Sequence, residues 1–136
     1  MPYPIVAAPD DELAVIQYLR GLAQVTALVP AASITTELPS SPVYPVVLIQ
    51  RIGGQMIWPA LDEPAVQVDV LGVTKADTKT LTMVVRAAIL AIANDIVSAA
   101  VLSSAYEEVG PSWLPDTVPV IPIPRYTARY RVLLHN

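Results

Sequence analysis

Residues 45–95 constrain the fold more than any other part of the chain, because they predict strand, loop, strand and helix in that order. The first strand, 46–52, is almost continuously apolar and ends at Gly53 and Gly54, as expected for a strand covered on both faces. The second, 65–71, alternates apolar and polar residues, which indicates a half-exposed strand. We therefore expect the remaining segments to complete a sheet built on these two strands.

The longest helical pattern in the chain spans residues 74–94. Its apolar residues recur at the spacing of one helical face: Leu81, Val84, Val85, Ala88, Ile89 and Ile92. Thr74 followed by Asp77 resembles a capping box at the start of this helix. An earlier helix is predicted after Asp10, which can cap it. Its apolar stripe recurs every three residues: Leu13, Ile16, Leu19 and Leu22.

Three further segments have the composition of strands. They are a short one at 34–37, one at 101–109, and a final strand from 125 that alternates apolar residues with arginine or threonine. The predicted fold class is therefore α+β, with two main helices packed on a mostly antiparallel sheet of about four to five strands. At this length the expectation is a single domain, residues 1–136.

Two proline-containing segments flank this predicted domain or interrupt it. Residues 1–9 form an N-terminal arm with Pro2 and Pro4. Residues 117–124 carry three prolines and are predicted to be extended, but not a central strand. Each segment either moves freely or lies along a neighbouring molecule, and the sequence favours neither alternative.

The chain is unusually apolar, with 54% hydrophobic and only 15% charged residues, where soluble domains approach about 25% charged. A membrane does not explain this, because a spanning helix needs about 20 apolar residues and the most apolar stretch, 84–93, is short and contains Arg86. The N-terminus lacks the basic region of a signal peptide. The surplus apolar surface therefore predicts burial between subunits.

Charge and cysteine content exclude several function classes. With no cysteine, the chain has no disulfide, cysteine-type zinc site or thiol nucleophile. The net charge is −4, whereas a dedicated nucleic-acid binder is usually basic. Tight DNA binding is therefore not expected as its main function, although a mildly acidic surface suits a protein past which DNA slides.

No group of residues predicts catalysis, a metal site or a cofactor. The one histidine, His135, precedes the last residue. The adjacent acids Asp62–Glu63 and Glu107–Glu108 would point to opposite sides of a strand, so neither makes a paired-carboxylate site unaided. Gly53–Gly54 lacks the Gly-Lys-Ser/Thr context of a phosphate loop. We therefore predict that the protein is not an enzyme.

Two loops place large apolar side chains where a monomer has little use for them. Met56, Ile57 and Trp58 lie in a predicted loop, 55–64, and Trp113 lies in another, 110–116. Either these side chains fold back onto their own core, or they contact another subunit or partner, since aromatic residues and methionine are enriched at interfaces. Both interpretations stay open at this stage.

Arginines are concentrated on the last predicted strand. Arg125, Arg129 and Arg131 share one strand face. The simpler interpretation is a solvated face that also discourages edge-to-edge pairing. The alternative is a basic stripe that meets an acidic neighbour or the DNA backbone.

The order of these motifs resembles a known family. Glu-Leu-Pro at 37–39 precedes Val-Tyr-Pro-Val-Val-Leu-Ile-Gln-Arg-Ile-Gly-Gly at 43–54 and Leu-Asp-Glu-Pro-Ala-Val-Gln-Val-Asp-Val-Leu-Gly at 61–72. A helix rich in Ala, Leu and Val follows, and Arg-Tyr-Thr-Ala-Arg-Tyr-Arg-Val stands at 125–132. This pattern resembles the tail terminator proteins (tail completion or minor tail proteins) of long-tailed siphophages, especially those that infect actinobacteria.

The resemblance implies a structural virion protein without a cofactor. Six copies would form a homohexameric ring that caps the tail tube, ends its polymerisation and provides the docking surface for the head–tail connector. The expected partners are other copies of itself, the tail tube protein and the connector or adaptor protein, with no membrane. DNA would pass through the channel without specific binding. The expected location is the tail–neck junction of the virion, after assembly in the host cytoplasm.

Two alternatives remain from the sequence. The first is a head-side neck or adaptor ring that joins head and tail, since such proteins are also rings of small subunits. The second, from a different class, is a small hydrolase or ligand-binding domain that uses one of the acid pairs. It requires a concave pocket that contains carboxyl groups of shifted pKa.

Overall fold

In a computed structural model, which describes residues 5–58 and 61–136, the chain forms three α-helices and a six-stranded sheet. The elements are α1 (Asp11–Arg20), α2 (Ala23–Thr26), β1 (Ile34–Thr35), β2 (Val46–Trp58), β3 (Leu61–Leu71), α3 (Lys75–Leu90), β4 (Ala93–Ile96), β5 (Val101–Trp113) and β6 (Arg125–His135). A single 3-10 turn, Ala31–Ser33, precedes β1. The strand order across the sheet is β1-β2-β3-β6-β5-β4.

The α+β class is confirmed, but the predicted strand number is wrong. The sheet has six strands, and one of its five pairings, β1 with β2, is parallel. The short strand predicted at 34–37 is present as the two residues of β1, and the strand that the prediction lacks is β4, with four residues. The first residues of β4 fall within the predicted helix, 74–94. In the structure the helix ends at Leu90. Asn94 then adopts a left-handed φ of 55°, which asparagine tolerates better than most residues.

The core lies between the helices and one face of the sheet. The predicted stripe of α3 is confirmed, because Leu81, Val85 and Ile89 are buried there. Along β6 the alternation is also confirmed, and the buried residues of that strand are Tyr126, Ala128, Tyr130, Val132 and Leu134. The prediction for α1 is partly wrong, because Leu13 is exposed. Instead α1 buries Ala14, Val15, Ile16, Tyr18 and Leu19.

Both predicted helix caps are present. The side chain of Asp10 accepts a hydrogen bond from the backbone N–H of Leu13 at 3.0 Å. Thr74 accepts one from the N–H of Asp77 at 3.1 Å. Each cap satisfies a backbone donor that has no partner within its helix, so these two positions fix where α1 and α3 begin.

The predicted loop 55–64 is instead the far end of a long β-hairpin. Strand β2 does not stop at the two glycines but continues to Trp58, which pairs with Leu61. A register shift between Arg51 and Gly53 takes up one extra residue, as a β-bulge does. Residues 59 and 60 of the predicted loop lie outside the described residues.

Strand β5 also extends beyond its prediction and changes the role of the proline-rich segment. It runs to Trp113, through most of the predicted loop 110–116. Residues 117–124 are predicted to be extended. In the structure they instead form the bent end of a β5–β6 hairpin. Asp116 and Ile123 close this end through two backbone hydrogen bonds of 2.9 and 2.8 Å.

Replacing Gly54 by alanine should destabilise the β2–β3 hairpin. Gly54 has a φ of 95°, and a Cβ there would lie 2.2 Å from the carbonyl oxygen of Glu63. We expect Gly54→Ala to lower the free energy of unfolding by more than about 1 kcal/mol in urea titrations. Gly110→Ala is the matched control, since its Cβ would meet nothing nearer than the Glu107 side chain at 3.5 Å. Equal stability of the two variants would contradict this account of the hairpin.

Candidate interaction surfaces

The end of the β2–β3 hairpin presents an apolar strand edge. We call residues 52–58 the hairpin edge; it contains no charged residue, and Ile52, Met56, Ile57 and Trp58 are exposed. On the outer side of β2, strand β1 pairs only with Val47 and Leu48. Within the described part of the chain, no strand pairs with the outer side of the hairpin edge. Such an edge is a ready template for another chain.

An ion-pair cluster joins the base of this hairpin to α1. Arg51 donates two hydrogen bonds to Asp62, of 2.5 and 3.2 Å, and its Nη1 lies 3.5 Å from the carboxylate of Asp11. The bond to Asp62 raises the pKa of Arg51, whereas burial raises the pKa of Asp11. The backbone N–H of Arg51 also donates to Glu12 at 2.8 Å. These contacts tie both strands of the hairpin to α1 beside the hairpin edge.

The predicted face of arginines on β6 exists, but its charge is largely compensated. Arg131 donates to Glu108 and lies 3.7 Å from Glu63, and Arg129 lies 3.6 Å from Glu108. The hydrogen bond from Arg131 lowers the pKa of Glu108. Arg125 donates to the carbonyl oxygen of Leu114 at 2.8 Å. Glu63 and Glu108 therefore compensate most of the positive charge of the stripe; its contact with DNA or a neighbour stays a prediction.

Trp113 is the last residue of β5 and packs within its own chain. Its ring lies 5.2 Å from the ring of Tyr126, at an interplanar angle of 58°. The ammonium group of Lys75 lies 4.6 Å from the centre of the same ring, a cation–π contact. These contacts account for part of the side chain, but 40% of it is exposed. Its predicted contact with a partner stays a prediction.

The acid pairs do not form a paired-carboxylate site. Asp62 is directed to Arg51, while Glu63 is directed to Arg131. Glu107 accepts two hydrogen bonds from Arg86, of 2.7 and 3.0 Å, and Glu108 faces the arginines of β6. Within 5–58 and 61–136, no three His, Cys, Asp or Glu side chains are placed to hold a metal ion. The same residues include no helix long and apolar enough to cross a membrane.

Sequence reasoning missed an apolar groove on the helix layer. It lies between α1–α2 and the second half of α3, has a volume of about 490 Å³, and is lined mainly by Tyr18, Leu22, Val25, Met83, Ala87 and Ala91. The hydroxyl of Tyr18 donates to the carbonyl oxygen of Ala88 at 2.6 Å, which links the two sides of the groove. The exposed alanines of α3 were the available signal, but the groove also needs α2, whose four residues give no clear helical pattern.

A family model described as "Phage tail termination protein" matches residues 7–119. The chain therefore belongs to the phage tail termination protein family and is a structural protein of the phage tail. The resemblance noted in the sequence is thus confirmed.

A solved structure supports the fold over nearly the whole chain. It is a chain of the structure described as "Virion of native gene transfer agent (GTA) particle", with a TM-score of 0.66 and 18% sequence identity. The match covers 93% of this chain and 95% of the other. At this identity the likeness establishes a shared fold. A comparison with curated proteins finds no match.

Replacing Arg51 by glutamine should destabilise the fold, because Asp62 is only 3% exposed and would lose its charged partner. Breaking a buried ion pair costs roughly 3–5 kcal/mol, and we expect about 2–3 kcal/mol here because solvent reaches Arg51. The measurement is the free energy of unfolding in urea.

Arg129→Gln provides the matched control, since Arg129 makes a long, solvent-exposed contact with Glu108. It should leave the unfolding midpoint nearly unchanged. An Arg51→Gln variant as stable as this control would show that the ion pair does not hold the base of the hairpin.

Proposed function

We propose that this protein is the tail terminator: a ring of identical subunits that caps the finished tail tube and stops its polymerisation. The hairpin edge carries the proposal, because it is an apolar, uncharged strand edge held away from the core in a chain of the tail termination family. The same ring provides the docking surface for the head–tail connector. We propose six copies, as the resemblance to siphophage terminators implies.

Physical reasoning favours a ring over a symmetric pair. The apolar surfaces lie on different parts of the chain: the hairpin edge on β2 and the groove on the helices. Contacts between different surfaces of identical copies are heterologous, and they close into rings when the rotation per subunit permits. An exposed apolar edge also promotes uncontrolled pairing unless a specific neighbour covers it. A closed ring with defined partners provides that cover.

The proposed contacts follow from which surfaces are apolar. Met56, Ile57, Trp58 and the exposed part of Trp113 contact neighbouring subunits, the tail tube protein or the connector. Glu63 and Glu108 compensate most of the charge on the stripe of Arg125, Arg129 and Arg131, and the chain as a whole is at −4. This balance suits a channel that DNA passes without specific binding. No catalytic step is part of the proposal.

The proposed location is the tail–neck junction of the virion, reached after assembly in the host cytoplasm. The shared fold with a chain of a gene transfer agent virion supports a place in a phage-like particle. The head-side neck protein remains the rival within this class, and the tail-length experiment below separates the two.

Replacing Trp58 by alanine should weaken ring assembly more than folding. Trp58 is 63% exposed at the hairpin edge, so the monomer loses little by its removal. We expect a melting temperature within about 2 °C of the unsubstituted protein. Ring assembly, measured by native mass spectrometry over a concentration series, should weaken at least about tenfold, because truncating an aromatic interface residue often costs ~2 kcal/mol or more.

Trp113→Ala is compared with Trp58→Ala for its effect on folding. Because Trp113 packs on Tyr126 and under Lys75, its removal should lower the melting temperature by several degrees, about 1 kcal/mol or more. Normal assembly of Trp58→Ala with a collapsed melting temperature would mean that Trp58 serves the fold, and that the hairpin edge is not an interface.

Silencing the gene during phage growth tests the function directly. A missing terminator leaves tube growth unchecked, so electron microscopy of the lysate should show overlong tubes without heads beside filled heads without tails. Tails of normal length that fail to join heads would reject termination and support the neck alternative. Normal virions would reject both roles.

A further inference from the structure

The end of the β5–β6 hairpin is a fully exposed apolar projection. We call residues 117–124 the proline knob; it contains no charged residue. Val118 is 94% exposed, Ile121 is 78% exposed, and Val120 is completely exposed. Scattered exposed apolar side chains are common on proteins, but three on one turn form a patch that indicates a partner.

The proline knob is held rigidly. Asp116 and Ile123 pair through two backbone hydrogen bonds, and the carboxylate of Asp116 accepts a third from the N–H of Val118 at 3.1 Å. Pro119, Pro122 and Pro124 fix their own φ angles. The carbonyl oxygen of Pro124 also accepts a hydrogen bond from the N–H of Gly72 at 3.1 Å. Because little conformational freedom remains to be lost, binding through this knob has a low entropic cost.

The helix groove matches the knob in chemistry and size. The residues that line it are uncharged, and the exposed alanines Ala87 and Ala91 leave space above α3. Its volume of about 490 Å³ falls in the range of roughly 300–1,000 Å³ that encloses a compact apolar group. An uncharged knob entering an uncharged groove leaves no charge without a partner, whereas a charged segment would lose its hydration there.

The knob cannot reach the groove of its own chain. It projects from the end of the sheet where Trp113 pairs with Tyr126, and Lys75, at the start of α3, lies over Trp113. The groove residues of α3 follow Lys75 by 8 to 13 positions, which is about 12–20 Å further along the helix. The two surfaces are therefore complementary but separated, which is the arrangement that joins identical copies head to tail.

Building on the proposed ring, we propose that the proline knob of each subunit seats in the helix groove of the next subunit. Val118, Val120 and Ile121 enter the groove and contact the walls formed by α1–α2 and α3. This contact gives the ring a direction, because each copy offers a knob on one side and a groove on the other.

Disulfide trapping tests this contact cleanly, because the chain has no cysteine of its own. Val120→Cys and Ala87→Cys are made in separate chains of different mass, mixed, and oxidised under conditions in which the ring forms. We expect the mixed disulfide to exceed either homodimer at least about fivefold, because random collision would give comparable amounts. Val120→Cys with Lys79→Cys is the control, since Lys79 is exposed on α3 outside the groove.

The doubly substituted chain, Val120→Cys with Ala87→Cys, then tests direction. A head-to-tail contact predicts a ladder of linked species that extends to the full ring size seen by native mass spectrometry. A product that stops at the dimer would overturn the head-to-tail arrangement.

Intact rings with mixed disulfides no more abundant than in the Lys79 control would overturn the knob contact while leaving the terminator function in place. Tail length after gene silencing depends on termination and not on which surfaces touch, so failure of the function is observed separately.

Discussion

The pairing of β3 with β6 is the interaction on which the rest of the structure depends. It joins two hairpins that are far apart in sequence, β2–β3 and β5–β6, into one sheet. On the helix-covered face it buries Val66, Val68, Ala128 and Tyr130, and burial raises the pKa of Tyr130 to about 12. The pairing runs from Leu61–His135 to Leu71–Arg125. The Trp58–Leu61 pair of one hairpin therefore lies at one end of the sheet and the proline knob at the other.

Elements that bury a periodic face could be predicted from the sequence, whereas β4 and the far ends of the two hairpins could not. The stripe of α3 and the alternation of β6 are long enough to identify helix and strand without ambiguity. Strand β4, with four residues, is too short to show any period, and the two-residue β1 was predicted from composition alone. Pro111 suggested a loop, yet it lies within β5, because β4 pairs only with the first residues of β5 and the outer side there needs no N–H donor.

Side-chain type could be predicted for the candidate surfaces, but partners could not. The sequence predicts that neither acid pair forms a paired-carboxylate site and that the arginines of β6 share one face, but it does not predict that Asp62 is buried against Arg51. The arginines of β6 pair with glutamates of β3 and β5 because these three strands lie side by side. The strands are far apart in the sequence, so these ion pairs could not be predicted. The same holds for Met56 and Trp58, which the sequence places in a loop and the structure in strand β2; their contact with a partner stays a prediction. The sequence shows that both side chains are apolar. It does not show that they lie on a strand edge with which another chain can pair.

A head-to-tail contact between identical copies closes into a ring only when its angle is fixed, and otherwise continues as an open filament. Rigid attachment of both contacting surfaces is therefore as important as their apolar area. In this chain the hairpin edge is held at its base by Arg51 and Asp62, and the proline knob by the Asp116–Ile123 pair. The groove is held by the Tyr18–Ala88 hydrogen bond between α1 and α3. In the proposed ring, polar contacts therefore set the angles between subunits, while the apolar surfaces provide the free energy of association.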